Sequence, residues 1–99
     1  MEGIRKYKSS IDSLCIQYKV DSLHVFGSIL TEHFNSESDV DFIVVFRKSE
    51  IDDYFSNFFD FKYSLEELFG RSVDLIEEQS IRNPYFRQNV DASKILVYG

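Results

Sequence analysis

Apolar residues recur every three or four positions over the first twenty residues, which is the pattern of an amphipathic helix. These positions are Ile4, Tyr7, Ile11, Leu14, Cys15 and Tyr18, with Lys and Ser residues between them. The next apolar run, residues 22–26, alternates between two sides and predicts a short strand. Leu23 and Val25 would face one side of this strand, and His24 and Phe26 the other.

The middle of the chain predicts a short helix over residues 29–34, a loop over 35–38 and a strand over 39–46. This strand ends in a continuous apolar run, which implies burial on both faces of a sheet. A long helix is predicted from Ile51 onward and is closed by Gly70. Glycine is the residue type favoured just past the end of a helix. The apolar face of that helix is outlined by Tyr54, Phe55, Phe58, Phe59, Leu65, Leu68 and Phe69.

Phe61 and Tyr63 fall outside this face, and we interpret them either as extra core area or as a surface that meets another chain. Residues 72–78 predict a third strand, residues 83–90 a short helix with a proline in its first turn, and residues 94–99 a final extended segment. Helices that alternate with strands predict an α/β (α+β) fold with a small sheet. The pattern leaves the strand directions open.

The composition indicates a folded chain, with 43% hydrophobic residues and a formal net charge of -6. At this length we expect one domain over residues 1–99. The acidic balance argues against stable binding to nucleic acid, which requires a basic face. Because neither a signal peptide nor a membrane-spanning run is recognisable, we expect a cytoplasmic protein with no membrane association. The lone cysteine, Cys15, lies on an apolar helix stripe and is interpreted as a buried hydrophobic residue.

Two carboxylates open the apolar strand of residues 39–46. Asp39 and Asp41 are two residues apart, so both would point to one face of the sheet with Cα atoms roughly 6.6 Å apart. Carboxylates with this spacing can share or divide the two divalent ions of a phosphoryl-transfer site. Their hard oxygen atoms select Mg²⁺ or Mn²⁺ over softer metals. The alternative interpretation is a solvated strand end.

Gly27 and Ser28 lie at a predicted turn from strand to helix, where phosphate groups are often bound. Gly27 lacks a Cβ atom and allows close approach to its backbone, and Ser28 offers its N–H and its hydroxyl at a helix start. A Gly-Ser pair is a weak signal by itself, and so is a single Asp-x-Asp. The Gly-Ser pair and the Asp-x-Asp together form a more specific signal than either motif alone.

The pair Gly27-Ser28, ten intervening residues and the Asp-Val-Asp of residues 39–41 together resemble the signature of the polymerase β-like nucleotidyltransferases. The length and layout of the chain are similar to their minimal bacterial branch, the minimal nucleotidyltransferase (MNT) domains, which often act as antitoxins to HEPN-domain ribonuclease toxins. Residues 83–90 followed by 95–98 resemble the C-terminal end of these domains, so the similarity covers nearly the whole chain.

This resemblance implies a polymerase β-like fold with a small mixed sheet flanked by helices. It also implies transfer of a nucleoside monophosphate, AMP from ATP, to a hydroxyl of a partner HEPN toxin, with a tyrosine as the acceptor. By the same resemblance, Asp39 and Asp41 would bind two Mg²⁺ ions. Asp74, on the third strand, would be the third metal-binding carboxylate and help deprotonate the acceptor hydroxyl. Gly27 and Ser28 would hold the β- and γ-phosphates of the nucleoside triphosphate.

The sequence differs from the family pattern after Gly-Ser, where many relatives have Ala-Arg-Gly and this chain has Leu30, Thr31 and Glu32. Cations that could compensate are Arg47, Lys48 and Arg71. The difference supports an alternative in which the domain is catalytically weak or inactive and neutralises its partner by binding alone. A structural Ca²⁺ loop is inconsistent with the ligand spacing of residues 35–42. Association of the chain with a second copy of itself stays open.

Overall fold

The computed structural model describes residues 2–27 and 39–99. Ser28, and the helix and loop predicted for residues 29–38, lie outside the described residues. Two short 3₁₀ turns, Lys48–Glu50 and Glu78–Ser80, are present. The helices and strands are α1 (Glu2–Lys6), α2 (Lys8–Gln17), β1 (Val20–Phe26), β2 (Val40–Phe46), α3 (Tyr54–Phe69), β3 (Val73–Glu77), α4 (Pro84–Ser93) and β4 (Ile95–Tyr98).

The N-terminal helix, predicted as one segment, is divided at Tyr7 into α1 and α2. The Tyr7 N–H donates to the Ile4 carbonyl at 3.0 Å, and this three-residue spacing is that of a turn tighter than an α-helix. No helix in residues 2–27 or 39–99 is long and apolar enough to cross a membrane.

Both ends of α3 are defined by their capping residues. The helix begins at Tyr54 because the Asp53 carboxylate accepts hydrogen bonds from the Ser56 N–H at 3.2 Å and from the Ser56 hydroxyl at 2.7 Å. It ends as predicted at Gly70, which has a φ of +67° in the left-handed region.

The four strands form one sheet in the order β3-β2-β1-β4. β1 is antiparallel to both β2 and β4, whereas β2 and β3 are parallel. The sheet is therefore mixed, with helices packed against it, and the fold class predicted above is confirmed.

Alternate residues of the strands face two different layers. One face packs against α2 and α3 and forms the main core, to which β2 contributes Val40, Phe42, Val44 and Phe46. Cys15 of α2 is fully buried in this core, which confirms its interpretation. The opposite face carries a smaller apolar cluster of Phe26, Ile43 and Val90, with Ile76 and Ile81 against it. α4 covers this second face through Val90.

One prediction about α3 is wrong. Phe61 is predicted outside the apolar face, but its exposed fraction is 0%, which confirms the alternative that it adds core area, whereas Phe55, assigned to that face, is 73% exposed. The face that packs on the sheet keeps Tyr54, Phe58, Leu65 and Leu68 of the predicted set and includes Phe61. A helix with so many aromatic residues has two overlapping apolar stripes, and only one of them meets the sheet. Tyr63 lies outside that face, as predicted.

Candidate active site

The structure brings the sequence-predicted carboxylates to one end of two neighbouring strands. Asp41 is the second residue of β2 and Asp74 the second residue of β3, and they are register partners in the parallel pair. Register partners on adjacent strands project to the same face of the sheet, so the two carboxylates are neighbours. Asp39 is exposed immediately before β2. Asp41 and Asp74 lie on the face opposite the main core.

Two hydrogen bonds hold β2 and β3 at this end, one of them to a side chain of α3. The Val73 N–H donates to the Glu66 carboxylate of α3 at 3.0 Å, and the Val40 N–H donates to the Ser72 carbonyl at 3.1 Å. Because the α3 helix ends only three residues before β3 begins, the position of Asp74 is fixed by the helix as well as by the sheet.

Gly27 follows β1 directly and lies against the Asp41 carboxylate. Its φ is +82°, a conformation that other residues rarely adopt. A Cβ atom at this position would overlap Asp41 Oδ2. From the sequence alone, the glycine at this position is explained by the close approach of a phosphate. The structure adds a second reason for a glycine here, because the absence of a Cβ atom leaves room for the Asp41 carboxylate. Ser28, the other predicted phosphate-binding residue, lies outside the described part of the chain.

The electrostatics of the site are dominated by like charges. Burial, together with the negative charges of Asp74 and Asp39, raises the pKa of the Asp41 carboxyl to about 6. Asp41 is half-buried, while Asp39 and Asp74 are exposed. Crowded carboxylates of this kind destabilise one another unless a cation offsets their charge.

The chemistry of the donors suits a divalent cation, because Asp41 and Asp74 are register partners and Asp39 is near enough for its charge to act on the Asp41 carboxyl. Within residues 2–27 and 39–99, however, no three carboxylate, imidazole or thiol side chains form a preassembled metal cluster.

The candidate compensating cations differ in position. Arg47 and Lys48 follow β2 at the end opposite Asp41, where Arg47 lies 3.7 Å from Asp21 and Lys48 lies 3.6 Å from Glu77. Both are therefore remote from the carboxylates. Arg71 lies between α3 and β3, at the same end of the sheet as Asp74.

Apolar residues that were not predicted as site residues flank the carboxylates. The Cα atom of Phe26 pairs with that of Asp41 across β1 and β2, so both side chains project to the same face. The Phe26 ring in turn contacts the Phe86 ring of α4 edge to face, with 6.0 Å between centroids. Alternation along residues 22–26 indicated the face of Phe26, but the contact with Phe86 depends on tertiary packing.

His24 also lies on this face, two residues before Phe26. It is half-buried, and burial together with the positive charge of Lys94 lowers its pKa. A neutral imidazole beside α4 is consistent with a structural role.

Neighbouring carboxylates of this kind are ligands that two-metal phosphoryl-transfer enzymes use. The chain belongs to the nucleotidyltransferase domain family, whose model matches residues 7–97. The protein is therefore a nucleotidyltransferase.

Curated relatives and solved structures agree with this assignment. Two proteins of Methanocaldococcus jannaschii, each named as a candidate protein adenylyltransferase, are both 34% identical to this chain. The alignments cover 97% and 95% of this chain and 92% and 90% of those proteins. A solved structure described as that of a candidate minimal nucleotidyltransferase superposes with a TM-score of 0.76 at 28% identity, covering 95% of this chain and 92% of the other.

A more distant similarity concerns the fold alone. A toxin–antitoxin crystal structure with AMP-PNP superposes with a TM-score of 0.71 at 20% identity, covering 93% of this chain and 73% of the other. A complex of a tri-AMPylated Shewanella oneidensis HEPN toxin with an MNT antitoxin gives a TM-score of 0.67 at 18% identity, covering 97% and 72%.

Proposed function

We propose that this protein is an antitoxin that transfers AMP from ATP to a tyrosine hydroxyl of a HEPN-type toxin, with Mg²⁺ as the cofactor. The observation that carries the proposal is the placement of Asp41 and Asp74 side by side on parallel strands, with Gly27 against Asp41. Three carboxylates crowded at one point are costly for stability alone, and a cation that binds there offsets the cost.

Each carboxylate has a role in this proposal. Asp39 and Asp41 would hold Mg²⁺, and Asp74 would contribute a third ligand. When bound, Mg²⁺ supplies charge neutralisation for the triphosphate and for the departing pyrophosphate. Gly27 and Ser28 would receive the β- and γ-phosphates at the end of β1.

The transfer itself joins the acceptor oxygen to the α-phosphorus and breaks the bond from that phosphorus to the bridging oxygen of pyrophosphate. Asp74 is exposed, whereas Asp41 is half-buried against Gly27. An acceptor hydroxyl that arrives from solvent can therefore reach Asp74. In this proposal the Asp74 carboxylate accepts the hydroxyl proton.

The choice of partner is supported by the relatives. Two relatives that align over nearly their whole length are named for protein adenylylation, and a structure of similar fold contains a tri-AMPylated HEPN toxin.

The test is transfer of label from α-³²P-ATP to a HEPN-type toxin encoded beside this gene, in the presence of Mg²⁺. We expect the label on the toxin and loss of toxin activity. Asp39→Asn and Asp41→Asn should each abolish the transfer, whereas Asp60→Asn, an exposed carboxylate on α3, should leave it unchanged. Tyrosine as the acceptor is checked by mass spectrometry of the labelled toxin.

The second candidate function is neutralisation by binding alone, and one observation favours it. The aromatic residues Phe55 and Tyr63 are exposed on α3, away from the carboxylates, and could cover a partner without any chemistry. Toxin inhibition by a variant without the metal-binding carboxylates distinguishes the two functions. If the Asp39→Asn, Asp41→Asn double variant inhibits the toxin as strongly as the wild type and no label is transferred, the proposal of catalysis is wrong.

A further inference from the structure

We propose that Phe86, in the first turn of α4, is the stacking surface for the base of the nucleotide. The proposal rests on the proposed function and adds a binding subsite to it. Three observations carry it, namely the contact of Phe86 with Phe26, which is the cross-strand partner of Asp41, the exposure of Phe86 and the attachment of its helix.

The position follows from the register of the sheet. Phe26 pairs with Asp41 across β1 and β2, and side chains of such partners lie about 5 Å apart at Cβ. The Phe86 ring contacts the Phe26 ring on the same face, with 6.0 Å between centroids. Phe86 therefore lies one side chain away from the carboxylate that is proposed to hold Mg²⁺ beside the phosphates. In this proposal a nucleotide with its phosphates at Gly27 and Asp41 extends its sugar and base along Phe26 to Phe86.

The ring is available for stacking. Phe86 is 39% exposed, although it contacts Phe26 with one edge-to-face interaction. An edge-to-face contact uses the edge of one ring and a face of the other, so part of the ring surface stays open to a planar ligand. Aromatic rings stack with any base, because every base has a π-face.

The first turn of α4 is held in place before any ligand arrives. The Asn83 side-chain oxygen accepts hydrogen bonds from the N–H groups of Tyr85 at 2.9 Å and Phe86 at 3.1 Å. Arg87 donates to the Glu78 carboxylate and to the Glu78 carbonyl, both at 3.1 Å, which joins α4 to the 3₁₀ turn that follows β3. A surface fixed in this way loses little conformational entropy when it binds a ligand.

This arrangement predicts how the site chooses between nucleotides. Stacking depends on ring area, so purine nucleotides should bind more tightly than pyrimidine nucleotides. Because stacking does not read hydrogen-bonding groups, ATP and GTP should bind with similar affinity.

The experiment compares α,β-methylene-ATP, whose bond between the α- and β-phosphates is not cleaved, with inorganic tripolyphosphate, both with Mg²⁺ and by titration calorimetry. Phe86→Leu keeps apolar volume against Phe26 but removes the ring. We expect it to weaken binding of the ATP analogue about fivefold to tenfold, the lower part of the range for one stacked base. Binding of tripolyphosphate should not change. Phe86→Trp should restore or exceed wild-type affinity for the analogue.

The matched control is Tyr85→Ala, on the same helix turn, whose ring is 77% exposed. This substitution should leave the affinities for the ATP analogue and for tripolyphosphate within about twofold of the wild-type values. If Phe86 only packs α4 against the sheet, Leu should be tolerated and Trp should weaken binding, which would overturn the proposal.

The outcomes separate this inference from the function on which it rests. Wild-type binding and label transfer that persist unchanged in Phe86→Leu would overturn the base subsite and leave the proposed function intact. A wild-type protein that binds neither ATP analogue nor tripolyphosphate would overturn both.

Discussion

At the scale of single residues, Gly27 and Asp41 form the tightest constraint in the site. We expect Gly27→Ala to displace the Asp41 carboxylate, because the new Cβ would overlap Asp41 Oδ2, and to lower AMP transfer about tenfold or more. The φ of +82° adds a conformational cost of about 1 kcal/mol in stability. Label transfer and urea unfolding measure the two effects separately.

Gly70→Ala is the control for this substitution. Gly70 has a φ of +67°, and a Cβ atom there would meet nothing within 4 Å. It should lose about the same stability as Gly27→Ala while keeping full transfer activity. Equal loss of activity in both variants would show that backbone strain, and not the carboxylate, limits the reaction.

The raised pKa of Asp41 predicts a pH dependence of stability in the Mg²⁺-free protein. Its folded-state pKa of about 6 lies above the ordinary value of 3.8 for aspartate, so the folded state binds the proton more tightly. Ionised Asp41 therefore destabilises the fold above pH 6, and this cost is relieved as the pH falls from about 6 to about 4. Asp41→Asn should be more stable at pH 7 by about 1 kcal/mol, after allowance for solvent screening.

Chemical unfolding at pH 7 and pH 4 measures this difference. The stability advantage of Asp41→Asn should disappear at pH 4, and Mg²⁺ should stabilise the wild type at pH 7 more than the variant. Asp60→Asn should show no such pattern. An Asp41→Asn variant that is less stable than wild type at pH 7 without Mg²⁺ would mean that the carboxylate makes a stabilising contact instead.

At the scale of elements, α3 separates buried from exposed aromatic residues. Phe61 is fully buried, with ring centroids 5.8 Å from Tyr18 and 5.7 Å from Phe46, while Phe55 is exposed. We expect Phe61→Ala to lower the free energy of unfolding by about 3–5 kcal/mol, because it leaves a cavity in the main core. Phe55→Ala should change it by less than about 0.5 kcal/mol. Urea denaturation of both variants tests the assignment, and similar losses would contradict it.

The same helix shows what the sequence could and could not predict. Its C-terminal end at Gly70 was predictable, because a glycine there relieves a left-handed backbone. The buried face of α3 was not predictable, since Phe61 and Phe55 belong to two overlapping apolar stripes and only packing against the sheet decides which stripe is buried.

In β2, the spacing of Asp39 and Asp41 predicted a shared face. The pairing of Asp41 with Asp74 required the parallel register, which the apolar pattern left open. The contact between Phe26 and Phe86 depends on how α4 crosses the sheet, and local sequence does not determine that.

At the scale of the whole molecule, Cys15 reports on unfolding. The thiol is fully buried in the main core, and burial, together with the charge of Asp12, raises its pKa to about 12. The reactive thiolate is therefore suppressed in the folded state, and a thiol reagent should modify Cys15 only when the core opens. The labelling rate then follows the population of the open state.

Binding of a nucleotide to the folded state alone reduces that population. With Mg²⁺ and α,β-methylene-ATP at one hundred times the dissociation constant, we expect labelling of Cys15 to slow about 100-fold. Neither Ca²⁺ alone nor the nucleotide without a divalent ion should have this effect. Asp41→Asn should keep slow basal labelling but lose the protection by nucleotide, because its core is intact and its site is not. If bound nucleotide left the labelling rate unchanged, Cys15 would be reached by local opening of α2 away from the sheet, and core and site would be energetically independent.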